Sequence, residues 1–564
     1  MIRKFILQTA FVLAPVFIFS RQACAQTADN AYRNGMVVCA TPNASAVGVD
    51  ILKKGGNAVD AAVAVQFALA VTHPEAGNIG GGGFMVYRSN KGKTNTLDFR
   101  EKAPAAAYTN MFLDSAGNVI PDMSLATHQA SGVPGSVDGM IQAHRKYGKL
   151  KWAELVQPAI DLARNGFKIT KRLAGSLNWG SAQFKKLNPG KTYLLKDSLW
   201  KEGDLLQQED LAKTLELIRD KGRDGFYAGK VADEIVAEMN NGKGIISLAD
   251  LKNYHSVWRS AIVGKYKDYK IITMPPPSSG GIALLQLLHS VEKYPLHRWG
   301  FNQDSTVQLI VEAERRVYAD RSKYLGDPDF FKVPVDGLLN PAYLDKRMAS
   351  FNWNAATPSS SIQPGSFVGY ESDQTTHFSI VDKDGNAVSV TTTLNGSFGS
   401  KIFVGGAGFL LNNEMDDFSA KPGVPNMFGL LGGTANSIQP GKRMLSSMTP
   451  TIVEKDRKLF MVVGTPGGST IITSVFQTIL NVIEFDQDMQ QAVTSKRFHH
   501  QWLPDKVNVE KDGFNSTTTD NLTKKGYVIN PGGPSGRVDA ILITKDGSYQ
   551  GGADPRGDDT AIGY

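Results

Sequence analysis

A threonine pair where a polar segment meets an apolar strand carries the strongest chemical signal in this sequence. Thr375 and Thr376 open the run TTHFSIVDKDGNAVSVTTTL, in which two β-branched stretches flank an Asp-Gly pair, a pattern typical of a β-hairpin. If the chain were cut before Thr375, that residue would hold a hydroxyl nucleophile and its own α-amine as the base. The alternative interpretation is an ordinary strand that follows a linker.

The segment before this strand has the composition of an exposed loop. Residues 352–373 are rich in Ser, Pro, Gly and Gln, and the segment ends at Gln374. A polar, accessible segment next to a buried strand is the arrangement that self-processing needs. An interdomain linker has the same composition, so this pattern alone leaves both interpretations open.

The hairpin predicts which residues lie near Thr375. A two-residue turn at 384–385 would pair Asp382 with Ala387. That register places Thr375 opposite Leu394. Thr393 and Asn395 would then lie within about one residue of Thr375. The same register does not put the Thr393 side chain on the face that carries the Thr375 side chain.

A glycine turn further along the chain is a candidate oxyanion site. The residues TPGGS at 465–469 follow an apolar strand and precede an apolar helix. Backbone N–H groups at such a turn converge, and a helix N-terminus favours negative charge. The sequence therefore offers Gly467 and Gly468 as donors to an oxyanion, with a plain tight turn as the alternative.

Five further polar residues interrupt apolar or glycine-rich stretches. They are Arg100, the acids Glu414 and Asp417, and the pair Ser446 and Ser447. Each alone is typical of a solvated or hydrogen-bonded side chain. As a set they suit an α-amino acid, with Arg and Ser hydroxyls for its carboxylate and the acids for its ammonium group. The two acids supply too few oxygen ligands to predict a metal site.

The elements that would position these residues alternate along the chain. The sequence predicts a strand at 36–40, helical periodicity over 44–71, a helix-rich middle over 150–349 and strands over 375–404. Four consecutive glycines at 80–83 are not expected inside a strand or helix. They indicate close backbone packing beside a site, because neither a phosphate-loop motif nor a dinucleotide fingerprint accompanies them.

Composition and the N-terminus limit the function classes. The 564 residues are 41% hydrophobic and 20% charged, as in a globular protein, and the net charge of +7 is too dispersed to indicate nucleic-acid binding. Residues 1–25 resemble a secretory signal peptide, with a membrane anchor or a lipoprotein at Cys24 as alternatives. Cleavage would leave Cys39 as the one thiol, and therefore no internal disulfide.

Taken together, the motifs resemble those of a bacterial γ-glutamyltranspeptidase, a member of the N-terminal nucleophile hydrolase superfamily. The resemblance covers nearly all of the chain after the signal segment and preserves the family order of the motifs. The matching stretches are GNIGGGGF (77–84), DFREKAP (98–104), ADRSKYLGD (319–327), TTHFSIVDKDGNAVSVT (375–391), LLNNEMDDFS (410–419), RMLSSMTP (443–450), GTPGGS (464–469), RFHHQWLPD (497–505) and DPR (554–556).

This resemblance implies an α+β fold, a four-layer αββα sandwich formed jointly by two subunits from one precursor. Autocleavage between Gln374 and Thr375 would give a large subunit, 26–374, and a small catalytic subunit, 375–564. The two would remain together as a heterodimer. The mature protein is expected to be periplasmic or secreted, without a membrane anchor.

The resemblance also implies roles for the site residues. Thr375 would be the nucleophile, Thr393 would support it by hydrogen bonding, and Gly467 and Gly468 would donate to the oxyanion. Arg100, Ser446 and Ser447 would hold the α-carboxylate of a γ-glutamyl group. Asn395, Glu414 and Asp417 would hold the amino end of that group.

The expected activity is that of a γ-glutamyltransferase and glutathione hydrolase. Thr375 would take the γ-glutamyl group of glutathione or another γ-glutamyl compound as an ester, and water, an amino acid or a dipeptide would resolve it; no metal or organic cofactor is expected. The alternatives are a glutaryl-type (cephalosporin) acylase and a γ-glutamyl-peptide-binding protein that is never processed. Phe428 stands in a lid-like segment where many bacterial members carry Tyr, which leaves the lid's contribution open.

Overall fold

The computed structural model describes residues 32–190, 192–364, 375–421, 427, 434–533 and 535–564. The predicted signal segment, Gln374 on the predicted cut and Phe428 of the predicted lid lie outside these ranges. The strands are β1 Gly35–Cys39, β2 Gly82–Arg88, β3 Thr94–Asp98, β4 Phe167–Lys168, β5 Leu205–Leu206, β6 Val257–Arg259, β7 Ile262–Tyr266, β8 Tyr269–Thr273, β9 Thr376–Asp382, β10 Ala387–Thr393, β11 Phe403–Val404, β12 Phe409–Leu410, β13 Thr451–Lys455, β14 Lys458–Gly464, β15 Phe498–His499, β16 Val507–Glu510, β17 Ile529–Gly532, β18 Asp539–Ile543, β19 Tyr549–Ala553 and β20 Thr560–Gly563.

The helices follow the predicted alternation, with the longest in the middle of the chain. They are α1 Pro42–Lys53, α2 Ala58–Thr72, α3 Ser136–Tyr147, α4 Trp152–Asn165, α5 Lys171–Leu187, α6 Glu209–Lys221, α7 Asp224–Tyr227, α8 Gly229–Asn241, α9 Leu248–Asn253, α10 Gly280–Glu292, α11 Leu296–Trp299, α12 Asp304–Tyr324, α13 Val335–Leu338, α14 Pro341–Met348, α15 Ser469–Ile483, α16 Met489–Thr494 and α17 Ser516–Lys524. Among the helices in the described ranges, none is long and apolar enough to cross a membrane.

Two antiparallel sheets form the centre of the fold. The first has seven strands in the order β20-β1-β9-β10-β2-β3-β6, and the second has six in the order β19-β18-β14-β13-β8-β7. Alternate side chains of β1 enter two different cores: Val37 and Cys39 pack with the helices α1 and α2, whereas Met36 and Val38 pack with the second sheet. A strand buried on both faces requires a layer on each side.

Helices cover the outer face of each sheet. α1 and α2 pack on β1, β9 and β10 of the first sheet, while α10, α15 and α16 pack on β7, β14 and β18 of the second. The inner faces meet where β9 and β10 lie against β14 and β18. The order helix, sheet, sheet, helix confirms the predicted four-layer αββα fold.

The glycine run departs from its prediction. Gly82 and Gly83 belong to β2, pairing with Thr393 and Thr392 of β10, although the sequence predicted that no strand would include them. Close approach explains the exception, because a Cβ on Gly81 would lie 1.9 Å from the carbonyl oxygen of Thr393. The predicted close packing beside a site is therefore present, within a strand.

The hairpin register predicted from a two-residue turn is wrong by one residue. Val381, not Asp382, pairs with Ala387, and the hydrogen bond from the Asp382 N–H to the Asn386 carbonyl encloses a three-residue loop at 383–385. The Asp382 carboxylate accepts hydrogen bonds from the backbone N–H groups of Asp384 and Asn386, which stabilises the longer loop.

Candidate active site

Thr375 lies immediately before β9 and is buried, with 5% of its surface exposed. The register pairs Thr376 with Thr392, so one further step places Thr375 opposite Thr393 rather than Leu394. Directly opposite residues of antiparallel strands carry their side chains on one face. The observed register thus puts the side chains of Thr375 and Thr393 on the same face, which the register predicted from a two-residue turn did not.

Thr393 is held in place from both sides. Its carbonyl oxygen accepts a hydrogen bond from Asn78 Nδ2 at 2.8 Å, and its Oγ1 accepts one from the backbone N–H of Asn395 at 2.7 Å. Asn395 adopts φ +70° and donates its side-chain amide to the carbonyl of Asn413 at 2.9 Å. These contacts connect the strand beside Thr375 to the segment that contains Glu414.

His377, two residues after the candidate nucleophile, is not placed to act as its base. Its side chain is fully buried, and this burial lowers its pKa to about 3. Its two ring nitrogens lie 2.8 Å from Thr391 Oγ1 and 3.1 Å from Ser379 Oγ. The imidazole is therefore a neutral structural group within the hairpin.

The glycine turn reaches the same cavity as Thr375. The turn connects β14 to α15, with Gly467 at φ +127° and Gly468 at φ +59° as the N-cap of the helix. Gly467 and Thr375 both line a cavity of about 200 Å³. A helix of this length places a partial positive charge at its N-terminus, beside the threonine.

The two predicted acids converge on Arg100. Glu414 and Asp417 begin and end a single 3₁₀ turn, Glu414–Asp417, which brings residues three apart to one face. Arg100 Nη1 donates to Glu414 Oε1 and Nη2 to Asp417 Oδ2. The sequence assigned these groups to opposite ends of a substrate, whereas here they pair with each other.

Backbone groups fix the Arg100 guanidinium between three segments. Its Nη2 donates to the Leu445 carbonyl at 3.0 Å and its Nε to the Met444 carbonyl at 3.3 Å. The backbone N–H of Arg100 donates to Asp98 Oδ1, and its carbonyl accepts from Tyr254 OH. Arg100 therefore joins the DFREKAP, LLNNEMDDFS and RMLSSMTP stretches at one point.

The serine pair adjoins this point, and one of its contacts was missed by sequence reasoning. Ser446 follows Leu445 directly, and its hydroxyl accepts from the Met448 N–H at 3.2 Å. Ser447 Oγ accepts from Arg321 Nη2 at 3.1 Å. Arg321 lies on α12 within the ADRSKYLGD stretch and is buried. An arginine on the apolar side of a helical pattern could have indicated that it has a buried polar partner.

A third acid makes the electrostatics of this cluster unusual. Glu101 is fully buried and lies 3.7 Å from Arg100 Nη1. Neither of its carboxylate oxygens accepts a hydrogen bond from any described donor. Burial, followed by the charge of Glu414, raises the pKa of Glu101 well above its usual value. Burial also raises the pKa of Glu414. One guanidinium does not neutralise three carboxylates, so the cluster favours the protonated form of Glu101.

We expect Glu101→Gln to raise stability at alkaline pH by about 1–3 kcal/mol, the usual cost of a buried unsatisfied group. The folded pKa exceeds the unfolded value, so wild-type stability declines as pH rises above the unfolded pKa near 4.5. Glutamine mimics the protonated acid and does not titrate. Urea unfolding at pH 5 and pH 8 tests this, and equal pH dependence in the two proteins would contradict it.

No metal centre accompanies these acids in the ranges that the structure describes, where no group of three His, Cys, Asp or Glu side chains is arranged to hold an ion. Glu414 and Asp417 are directed at Arg100 instead. The groups that the described site offers are the hydroxyl of Thr375, the backbone N–H groups of the glycine turn and the charged cluster around Arg100.

Comparisons with known proteins identify the family of the chain. The family model described as Gamma-glutamyltranspeptidase matches residues 44–564. A glutathione hydrolase proenzyme of Escherichia coli is 50% identical over 94% of this chain and 92% of its own length. The crystal structure of Helicobacter pylori gamma-glutamyltranspeptidase matches at 48% identity and TM-score 0.57, covering 57% of this chain and 93% of its own. Cephalosporin acylase from Bacillus halodurans matches at 27% identity and TM-score 0.84, covering 95% of this chain and 96% of its own.

Proposed function

Since the chain belongs to the gamma-glutamyltranspeptidase family, we propose that it is a γ-glutamyltransferase and glutathione hydrolase. The observation that carries this proposal is the convergence of Arg100, Glu414 and Asp417 beside the strand pair that holds Thr375. An α-amino acid head group presents one carboxylate and one ammonium group to such a set. Its γ-carbonyl would then extend toward Thr375.

The first reaction of this chain is its own cleavage. In the precursor the nitrogen of Thr375 belongs to the peptide bond with Gln374, and an amide nitrogen is no base. Thr375 Oγ attacks the Gln374 carbonyl carbon, the C–N bond between the two residues breaks, and the hydroxyl proton passes to the nitrogen, which frees the amine. Water then hydrolyses the resulting ester and separates the two chains. The products are a large subunit ending at 374 and a small subunit beginning with Thr375.

Catalysis then uses the freed amine. An α-amine with a pKa of about 8 takes the proton of Thr375 Oγ as this oxygen attacks the γ-carbonyl of the substrate. The backbone N–H groups of Gly467 and Gly468 stabilise the oxyanion. The C–N bond breaks, the proton passes to the leaving amine, and the γ-glutamyl ester of Thr375 remains.

A second nucleophile completes the cycle. Water releases glutamate, whereas the amine of an amino acid or dipeptide forms a new γ-glutamyl amide; in both cases Thr375 Oγ recovers its proton. Two successive displacements through an acyl-enzyme predict ping-pong kinetics. Thr393, through its position opposite Thr375, would orient the hydroxyl.

The γ-glutamyl group would lie between the charged residues described above. Its α-carboxylate would interact with Arg100 and the hydroxyls of Ser446 and Ser447, and its ammonium group with Asn395, Glu414 and Asp417. Substrate binding would then exchange ion pairs within the protein for ion pairs with the zwitterion. Arg321 would help to position Ser447, because its guanidinium donates a hydrogen bond to the Ser447 hydroxyl.

The acid pair also separates this function from a glutaryl-type acylase. A glutaryl group lacks the α-ammonium, so an acylase has no use for Glu414 and Asp417 at this position. A binding protein that is never processed would need neither the glycine turn nor Thr375. We therefore favour the transferase, with an N-terminal signal segment directing it to the periplasm or outside the cell.

A denaturing gel with mass spectrometry tests the proposal. We expect purified wild type to give two bands, and the smaller to begin with Thr375. The same preparation should release Cys-Gly from glutathione and transfer the γ-glutamyl group to glycylglycine. A single intact band with no turnover would overturn both processing and function.

A further inference from the structure

The cavity that contains Thr375 is distinct from the cluster around Arg100. Its lining includes Thr375 and Gly467 but none of the six described residues assigned to the γ-glutamyl group. Three arginines and one glutamate are among the lining residues: Arg172, Arg537, Arg556 and Glu75. The nucleophile thus has a zwitterion-binding cluster linked to it through Thr393 and a cationic cavity beside it.

Arg556 is not free to meet a ligand. Its Nε donates to Glu510 Oε1 at 2.8 Å, its Nη1 to Asp554 Oδ1 at 3.0 Å and its Nη2 to the Ser495 carbonyl at 3.0 Å. Its backbone carbonyl accepts from Arg172 Nη1 at 3.2 Å. Arg556 is therefore an anchor that holds the Arg172 side chain at the rim of the cavity.

The Arg537 guanidinium makes no close ion pair with a described acid, although the charges of Asp559, Glu75, Asp539 and Asp554 all act on it. Its Nη1 lies 3.8 Å from Asp559 Oδ2 and makes no hydrogen bond to any described acceptor. Burial and the neighbouring Asp559 raise the pKa of Asp539 well above its usual value. Asp539 and Asp559 therefore offset less of the Arg537 charge than two ionised carboxylates would.

The charges of Arg172 and Arg537 both act on His73, another residue that lines the cavity. Arg537 Nη2 lies 3.2 Å from His73 Nε2. Burial, then the charges of Arg537 and Arg172, lower the pKa of His73 well below its usual value, so the imidazole is neutral and adds no charge. Among the lining residues, Glu75 is the acid that faces these two arginines.

We propose that Arg172 and Arg537 bind the carboxylate of the Cys-Gly leaving group and of amino-acid or dipeptide acceptors in the cavity beside Thr375. This inference rests on the proposed function. A dipeptide extends about 7 Å at ~3.3–3.6 Å per residue, so its carboxylate lies away from the reacting nitrogen. A cavity of about 200 Å³ suits such a small group, being below the roughly 300–1,000 Å³ typical of sites for larger ligands.

The test compares two donors that differ in one charge: glutathione and glutathione whose glycine carboxylate is an amide. We expect the processed wild type to favour glutathione by about 10-fold in kcat/KM, the effect of one charged hydrogen bond. In Arg172→Gln this ratio should fall to about 3-fold or less, because Arg537 alone remains. Glycylglycine and its amide, compared as acceptors, should show the same change.

Arg164→Gln is the matched control, because Arg164 is an exposed arginine on α4 that pairs with Glu216 outside the cavity. It should retain the wild-type ratio. A wild type that turns over both donors equally well, or an Arg172→Gln variant with an unchanged ratio, overturns the inference alone. Absence of turnover with every γ-glutamyl donor would instead contradict the proposed function.

Discussion

Thr375→Val is expected to remain a single full-length chain and to lose about a million-fold in turnover, the scale seen when a nucleophile is removed. Valine keeps the shape of threonine but has no hydroxyl. Both the self-cleavage and the acyl-enzyme require Thr375 Oγ, so both should disappear together. The measurements are a denaturing gel and Cys-Gly release from glutathione.

Thr376→Val is the matched control for this variant. Thr376 is fully buried, and its Oγ1 makes no hydrogen bond to any described group. Replacing that hydroxyl by a methyl group removes no described hydrogen bond, and we expect normal processing and turnover within about twofold. If Thr375→Val were cleaved as efficiently as Thr376→Val, another residue would be the nucleophile.

Arg100→Gln is expected to lower kcat/KM for glutathione by at least about 30-fold, because a buried charge partner typically contributes 2–5 kcal/mol. The substrate carboxylate would lose its cation. The variant should also be destabilised by about 3–5 kcal/mol, since Glu101, Glu414 and Asp417 would remain buried without the guanidinium. Steady-state kinetics and urea unfolding measure the two effects separately.

Arg88→Gln separates the loss of stability from the loss of binding. Arg88 is also buried and pairs with Glu454 at 2.6 Å, at the opposite end of β2 from Gly82. Six residues of strand place it about 20 Å away from that end. We expect reduced stability with near-normal kcat/KM. A kinetic loss equal to that of Arg100→Gln would show that general destabilisation, not substrate binding, explains both.

The sequence predicted element types well because hydrophobic period is a local property. The strand at 36–40 and the broken helix at 44–71 are present as β1, α1 and α2 with ends shifted by a few residues. The hairpin register was wrong because Asp384-Gly385 fits two-residue and three-residue loops alike. Asp382 favours the three-residue loop, because its carboxylate accepts hydrogen bonds from the backbone N–H groups of Asp384 and Asn386.

Site membership could be predicted, but the pairing of charges could not. Residue types at Arg100, Glu414 and Asp417 indicate an amino-acid site, yet only the fold shows that the three form ion pairs with one another. The cavity of Arg172 and Arg537 was not predicted, because these residues lie on α5 and before β18, far apart in sequence. Neither belongs to a motif with a distinctive spacing.

The order of strands in the first sheet also determines when the protein can fold during synthesis. β1 is nearly the first element made, and its two neighbours, β9 and β20, come from the last third of the chain. Next to β20, Tyr564 donates its N–H to the Gly35 carbonyl at 3.1 Å. At about 5–20 residues per second, β1 waits on the order of a minute for its partners. The edge that pairs with β9 is open to other chains until residues 376–382 are made, and the edge that pairs with β20 stays open until residues 560–563 are made.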